Sequence, residues 1–92
     1  ITAMADASVS YPVYGVDALA QALVHIQNDE LNGTVLNDAV NQAKATLDLA
    51  INAANGDDVL AGTEWVLDSA TGTKAVRVPY VAVDASNVAD FK

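Results

Sequence analysis

Cysteine is absent from the 92 residues, so the chain has no disulfide to hold it, no thiolate to ligate a metal and no thiol nucleophile. Basic side chains are scarce: four lysines and arginines stand against twelve carboxylates, a net charge of −8. That balance repels phosphate backbones and anionic lipid surfaces and argues against nucleic acid as a partner. No apolar run approaches the roughly 18 residues of a membrane-spanning helix, and no basic stretch followed by an apolar run opens the chain in the manner of an export signal. The sequence shows no Gly-rich phosphate loop, no nucleophile elbow and no His–acid pair to perform catalysis, so no enzyme chemistry is expected. Asp57, Asp58 and Asp84 do not fall into the Asp-x-Asp-x-Asp-Gly spacing of a calcium loop, and no metal is expected on this segment.

What is present is apolar: 52% of the residues are hydrophobic, which belongs to a folded chain rather than a solvated one. At this length only about 60–65% of the unfolded surface is buried on folding, so an isolated fold is marginal unless it packs well. The opening run Ile1-Thr-Ala-Met-Ala-Asp-Ala-Ser8 places Ile1, Met4 and Ala5 on one helical face and is expected to be the end of a helix that begins upstream.

Tyr11-Pro-Val-Tyr-Gly-Val16 reads as a strand buried on both faces, ended by Asp17. Over residues 18–28, Leu19, Ala22, Leu23 and Ile26 recur at helical spacing, with Asp17 placed to cap that helix. Asn32-Gly33 reads as the turn into a second short strand, Thr34-Val-Leu36, ended by Asn37. The unit is β-α-β. From Asp38 a longer helix is expected, with Val40, Ala43, Leu47, Ala50, Ile51 and Ala54 as its buried stripe and Gly56 as its stop. Thr63-Glu-Trp-Val-Leu67 resembles a strand that turns through residues 69–73 into a return strand over residues 75–83. Pro79 removes a ladder donor, so that return strand lies at an edge or changes partners near it. Residues 87–91 suit one closing helical turn.

Two polar residues matter most. A parallel β-α-β unit brings the carboxyl ends of its strands to one sheet edge, where open α/β sheets bind ligands. Asp17 and Asn37 occupy those ends, about 4.8 Å apart if the strands are adjacent and about twice that if one intervenes. A carboxylate accepts hydrogen bonds from two hydroxyls and a carboxamide both accepts and donates, a pairing that suits a neutral polyol. The same two residue types also suit plain helix caps.

Three runs carry a family likeness: Tyr11-Pro-Val-Tyr-Gly-Val-Asp-Ala-Leu19; Gly33-Thr-Val-Leu-Asn-Asp-Ala39 with Asn41-Gln-Ala-Lys-Ala-Thr46; and Val76-Arg-Val-Pro-Tyr-Val-Ala-Val-Asp84. With Gly62-Thr-Glu-Trp65 between the last two, they resemble in order and spacing the galactose/glucose-binding proteins, a branch of the type I periplasmic binding proteins. The resemblance covers most of the chain and identifies it with the carboxyl-terminal portion of such a protein. It implies an α/β fold of two lobes, each a parallel sheet flanked by helices, that close on a hexose. Residues 1–36 and about 80–92 then belong to one lobe and about 38–78 to the other, with hinge crossings near Asn37 and Pro79.

Further expectations come from the same resemblance. The aspartate of Gly-Val-Asp and the asparagine of Leu-Asn-Asp bind sugar hydroxyls, which assigns those roles to Asp17 and Asn37. The remaining sugar ligands and the calcium loop of some members lie upstream of Ile1, so no cofactor is expected here and the site is incomplete without the missing amino-terminal portion, expected as a separate chain. The implied function is the solute-binding component of an ABC-type hexose importer, for glucose or galactose. It would be periplasmic or extracytoplasmic, free or lipid-anchored through the upstream portion, with an ABC permease and a chemoreceptor as partners. A sugar-sensing effector domain of a transcription repressor shares the fold and is the alternative. Ala20, Gln21 and Ala82 depart from the family's usual Pro, Glu and Gly, and residues 69–74 suggest a slightly longer hairpin than usual.

Other residues read more plainly. His25 lies off the apolar stripe and is expected at a solvated surface. Trp65, Tyr80 and Tyr14 are expected to pack in core or hinge rather than stack on a sugar. Lys44 and Asp48 form an i,i+4 pair of small weight.

Overall fold

The computed structural model describes residues 1–68, 70 and 74–92; the turn expected over residues 69–73, and most of the longer hairpin, lie outside the described residues. The elements run α1 (Thr2–Asp6), α2 (Ala20–Gln27), β1 (Thr34–Leu36), α3 (Ala39–Ala54), β2 (Val81–Val83) and a closing 3₁₀ turn (Val88–Phe91). Among them no helix is long and apolar enough to cross a membrane. The chain divides into two compact units, one of Ile1–Asn37 with Tyr80–Lys92 and one of Asp38–Pro79.

In the first unit, β1 is the element everything else leans on. On one side it pairs antiparallel with β2, Thr34 against Val83, Val35 against Ala82 and Leu36 against Val81. On the other side it meets residues 13–17 in parallel: Tyr14 bridges Gly33, Asn32 N–H donates to Val13 C=O (2.9 Å), Gly15 N–H to Gly33 C=O (2.8 Å) and Asp17 N–H to Val35 C=O (2.7 Å). The core lies against this ribbon and consists of Leu23 and Ile26 of α2, Leu31, Val83 and Val88, with Ile1, Val13, Ala22, Leu36 and Phe91 packed around it. Leu23 and Ile26 fall one helical turn apart, so α2 presents one stripe to the sheet.

Several expectations are corrected here. Residues 11–16 do not form a full strand buried on both faces: the segment makes one bridge, Val13 packs inward, and Tyr11, Tyr14 and Val16 are exposed. Alternation of side chains across a pleat sends 14 and 16 to the face that no described element covers. The sheet between named strands is therefore antiparallel and two-stranded, with the parallel component confined to the bridge and its backbone bonds. The turn after α2 is at residues 28–30, not at Asn32-Gly33. Asp29 takes the left-handed conformation (φ 59°), with Glu30 N–H donating to His25 C=O (2.8 Å) and Asp29 N–H to Ile26 C=O (3.1 Å), the two-bond ending usually built on glycine. Gly33 serves close approach instead: a Cβ there would sit 3.1 Å from Val83 O and 3.4 Å from Tyr14 Cδ1. His25 lies at the surface as expected, its side chain 42% exposed, with Nδ1 2.7 Å from the Glu30 carboxylate.

The second unit is built on α3. Asp38 caps it, its Oδ1 accepting from Asn41 N–H (3.1 Å) and its Oδ2 from the Asn41 carboxamide. Those bonds favour the ionised carboxylate and hold Asp38 below the usual carboxylate range. At the other end Gly56 (φ 72°) closes the helix as its sequence position predicts, with Gly56 N–H bonded to Ala53 C=O and Asp57 N–H to Asn52 C=O. The loop after it is held by Asn52, whose amide donates to Val59 C=O (2.8 Å) and Ala61 C=O (3.0 Å). Trp65 lies half-buried against the helix, its Nε1–H donating to Asp48 Oδ2 (3.1 Å), which draws the Asp48 pKa down. Lys44 Nζ approaches both that carboxylate (3.3 Å) and the Trp65 ring (5.3 Å from its centroid).

The expected buried stripe of α3 is not buried: Val40 is 79% exposed, and Leu47 and Ile51 are exposed too, while Ala45 is the buried position. Hydrophobic spacing identifies an apolar face but not what covers it, and the side of α3 met by residues 59–65 is the one carrying Ala45, Asp48 and Asn52, chosen by hydrogen bonding. Residues 63–67 form no strand; Leu67 and Val76 make one antiparallel bridge, supported by Asp68 N–H to Ala75 C=O (2.7 Å). The return run does change partners near Pro79, pairing at Val76 with Leu67 and at Val81–Val83 with β1. Tyr80 is 68% exposed rather than packed, and the closing turn is 3₁₀.

Two outcomes follow. Ile26→Ala empties the most enclosed position of the first unit and is expected to cost about 2–5 kcal/mol, read from the midpoint of urea unfolding. Because Asp38 is held below its unfolded value, its cap contributes stability above about pH 4 and loses it as pH falls through the folded pKa. Far-ultraviolet circular dichroism of Asp38→Asn is expected to keep helicity near neutrality and to show a flatter acid limb than the native chain.

Candidate functional site

The candidate site is the edge of the first unit where residues 13–17 and β1 end. Because Asp17 N–H bonds to Val35 C=O, the two segments are adjacent and co-directional at their carboxyl ends. Asp17 and Asn37 therefore close two neighbouring segments, and the bridge of Tyr14 to Gly33 sets Asp17 level with Leu36, one residue before Asn37. Both residues are exposed. The expected cap role of Asp17 is not observed: α2 has Leu19 at its N-cap, without a side-chain cap bond. Asn37 is not the cap of α3 either, since Asp38 holds that position. The Asp17 carboxylate makes no hydrogen bond or ion pair with any described residue, so its oxygens are open to a ligand.

The turn that carries Asp17 is unusual. Asp17 (φ 83°) and Ala18 (φ 48°) are both left-handed, consecutive and not glycine, a conformation that costs about 1–3 kcal/mol per residue and persists where its surroundings fix it. Two bonds fix it here: Asp17 N–H to Val35 C=O, and Ala18 N–H to Thr34 Oγ1 (3.2 Å). Thr34 is 4% exposed and is the buried polar side chain of the described core. Asn32 braces the start of the same segment, its Oδ1 accepting from Val13 N–H (2.9 Å). Neither Thr34 nor Asn32 stands out in the sequence as a site residue; a Thr in an apolar three-residue strand, one turn residue away from Asp17 in space, is visible only once the strands are paired.

The other residues weighed for a ligand role lie elsewhere. Trp65 is engaged with Asp48 and Lys44 on α3 in the second unit, and Asp84 is engaged with Ser86 N–H and the Ser86 hydroxyl, which lower its pKa. Tyr14, 73% exposed, has the Cδ1–Cε1 edge of its ring beside Gly33. Among the described residues no cluster of three or more His, Cys, Asp or Glu is placed to hold a metal.

No protein-family profile matches the chain. Over 80 residues, 87% of its length, the chain is 50% identical to the D-galactose/methyl-galactoside binding periplasmic protein MglB of Haemophilus influenzae. It spans 23% of that relative.

Bringing the Asp17 segment against β1 depends on the close packing at Gly33, which leads to a third outcome. Gly33→Ala drives a methyl against the Val83 carbonyl and is expected to cost about 1–3 kcal/mol, seen as a lower urea midpoint together with faster amide exchange across β1 and β2.

Proposed function

We infer that this chain, a relative of the periplasmic galactose-binding proteins, forms part of the solute-binding component of an ABC-type sugar importer and supplies two ligands to a hexose, with galactose the leading candidate. What supports the reading is the adjacency of the two co-directional segments that end at Asp17 and Asn37, in a chain 50% identical over 80 residues to a galactose-binding protein. The carboxylate would accept from two neighbouring ring hydroxyls while the carboxamide accepts from one and donates to another. No bond is made or broken; the function is capture and release, delivered to a membrane permease from a periplasmic location.

In this reading the two compact units belong to different lobes of the whole protein, and the chain crosses between lobes at residues 37–38 and 79–80. The division of the chain at those residues supports it. So does the exposed apolar stripe of α3, which suits a helix that other parts of the protein cover. The remaining sugar contacts, any calcium site and any lipid attachment would come from the part of the protein outside this segment, and a chemoreceptor is a further proposed partner.

Each charge-assisted hydrogen bond to a shielded hydroxyl contributes about 1.5–3 kcal/mol. Losing both bonds of Asp17 therefore lowers galactose affinity by about two orders of magnitude or more. Titration calorimetry on the full-length protein is expected to show this for Asp17→Ala, and a smaller but clear loss for Asn37→Ala. Native affinity in Asp17→Ala would refute the assignment.

A further inference from the structure

We infer that Thr34 is a positioning residue for the sugar-binding carboxylate: its buried hydroxyl fixes the left-handed turn at Asp17 and Ala18 and so sets the direction in which the Asp17 side chain leaves the sheet edge. This rests on the reading of Asp17 as a hexose ligand and goes beyond it, since Thr34 itself points into the protein and meets no ligand.

The geometry makes Thr34 a rigid anchor. It lies in β1 opposite Val83, which is 1% exposed, and one residue beyond Gly33, whose parallel bridge to Tyr14 holds the other side. A strand bonded on both sides has little freedom to shift. From that position Thr34 Oγ1 accepts the Ala18 N–H at 3.2 Å. Gly15 lies beside the same oxygen, a Cβ there falling at an ordinary contact distance of 3.5 Å. The neighbouring bond, Asp17 N–H to Val35 C=O, is backbone to backbone and fixes only the entry into the turn. The exit is fixed by a side chain, and Thr34 is the one that does it.

A buried hydroxyl in an otherwise apolar three-residue strand carries a desolvation cost that valine, its near-isostere, would avoid. For overall packing valine would serve as well. What valine cannot supply is an acceptor for Ala18 N–H, and without it two consecutive left-handed residues lose the contact that holds the second of them. The turn then relaxes toward ordinary φ values, and the carboxylate of Asp17 swings away from the place where it meets two hydroxyls at once.

The test compares Thr34→Val, Thr34→Ser and Asp17→Ala in the full-length protein, with galactose binding measured by titration calorimetry and Ala18 amide exchange by NMR. Thr34→Val is expected to weaken galactose binding about tenfold or more, the scale of one lost hydrogen bond to a charged or orienting group, and to speed exchange of the Ala18 amide. Thr34→Ser, which keeps the acceptor, is expected to restore both. Thr34→Ala removes the acceptor without adding a methyl against the amide, and it replaces the valine variant should that one not fold. Native galactose affinity in the acceptor-less variants, with Asp17→Ala unable to bind, overturns the role of Thr34 and leaves the hexose reading standing. Native affinity in Asp17→Ala overturns the hexose reading itself, and with it the assignment of Thr34 to sugar positioning. An Ala18 amide whose exchange is unchanged in Thr34→Val overturns the anchoring contact whatever the calorimetry gives.

Discussion

Hydrogen bonding on both sides of a three-residue strand is the constraint on which the first unit depends. β1 has β2 antiparallel to it on one flank and residues 13–17 parallel to it on the other. A strand this short contributes little on its own, and it is held because the elements around it share one apolar core, Val83 and Val88 with Val13 and the α2 stripe. Gly33 lets the flanks come that close. Once β1 is fixed, the ends of the two co-directional segments, which carry Asp17 and Asn37, are fixed as well.

Two kinds of bond then divide the work at the site. Backbone bonds bring the segments together and would form with almost any sequence of the right pattern. The side-chain bond from Ala18 N–H to Thr34 holds a turn that backbone preferences alone disfavour. The Asp17 carboxylate makes no hydrogen bond to a described residue, while the backbone beneath it is held by both bonds. The second unit follows a different logic: polar side chains, Asp38, Asn52 and the Asp48–Trp65–Lys44 group, organise helix α3 and its following loop, and the apolar face of the helix stays exposed.

The elements whose signals are local were legible in advance. Gly56 ends α3 because a glycine at positive φ is a property of a few neighbouring residues, whereas the cap at the other end falls to Asp38 and not to Asn37. Pro79 divides the return run because it lacks an N–H wherever it sits. The misplaced turn after α2 shows the limit of such reasoning: Asn32-Gly33 has turn chemistry, yet Asp29 takes the left-handed position and Gly33 is spent on close packing against Val83. The exposure of Tyr14, Tyr80 and the α3 stripe was not legible either, because hydrophobic spacing says which residues share a face and nothing about what lies opposite.

By itself the sequence determined the helix spans to within a residue or two and the short strand Thr34–Leu36. It also carried the likeness to hexose-binding proteins, since that likeness resides in the order of residues. Tertiary structure decided that residues 13–17 and β1 are neighbours rather than separated by another strand, that Asp17 and Asn37 are not helix caps, and that Thr34 reaches the turn beneath Asp17. Those facts are set by pairing between segments 16 or more residues apart, where the partner of each backbone group is chosen by which register buries the most apolar surface and satisfies the most donors, a choice no single stretch of chain contains.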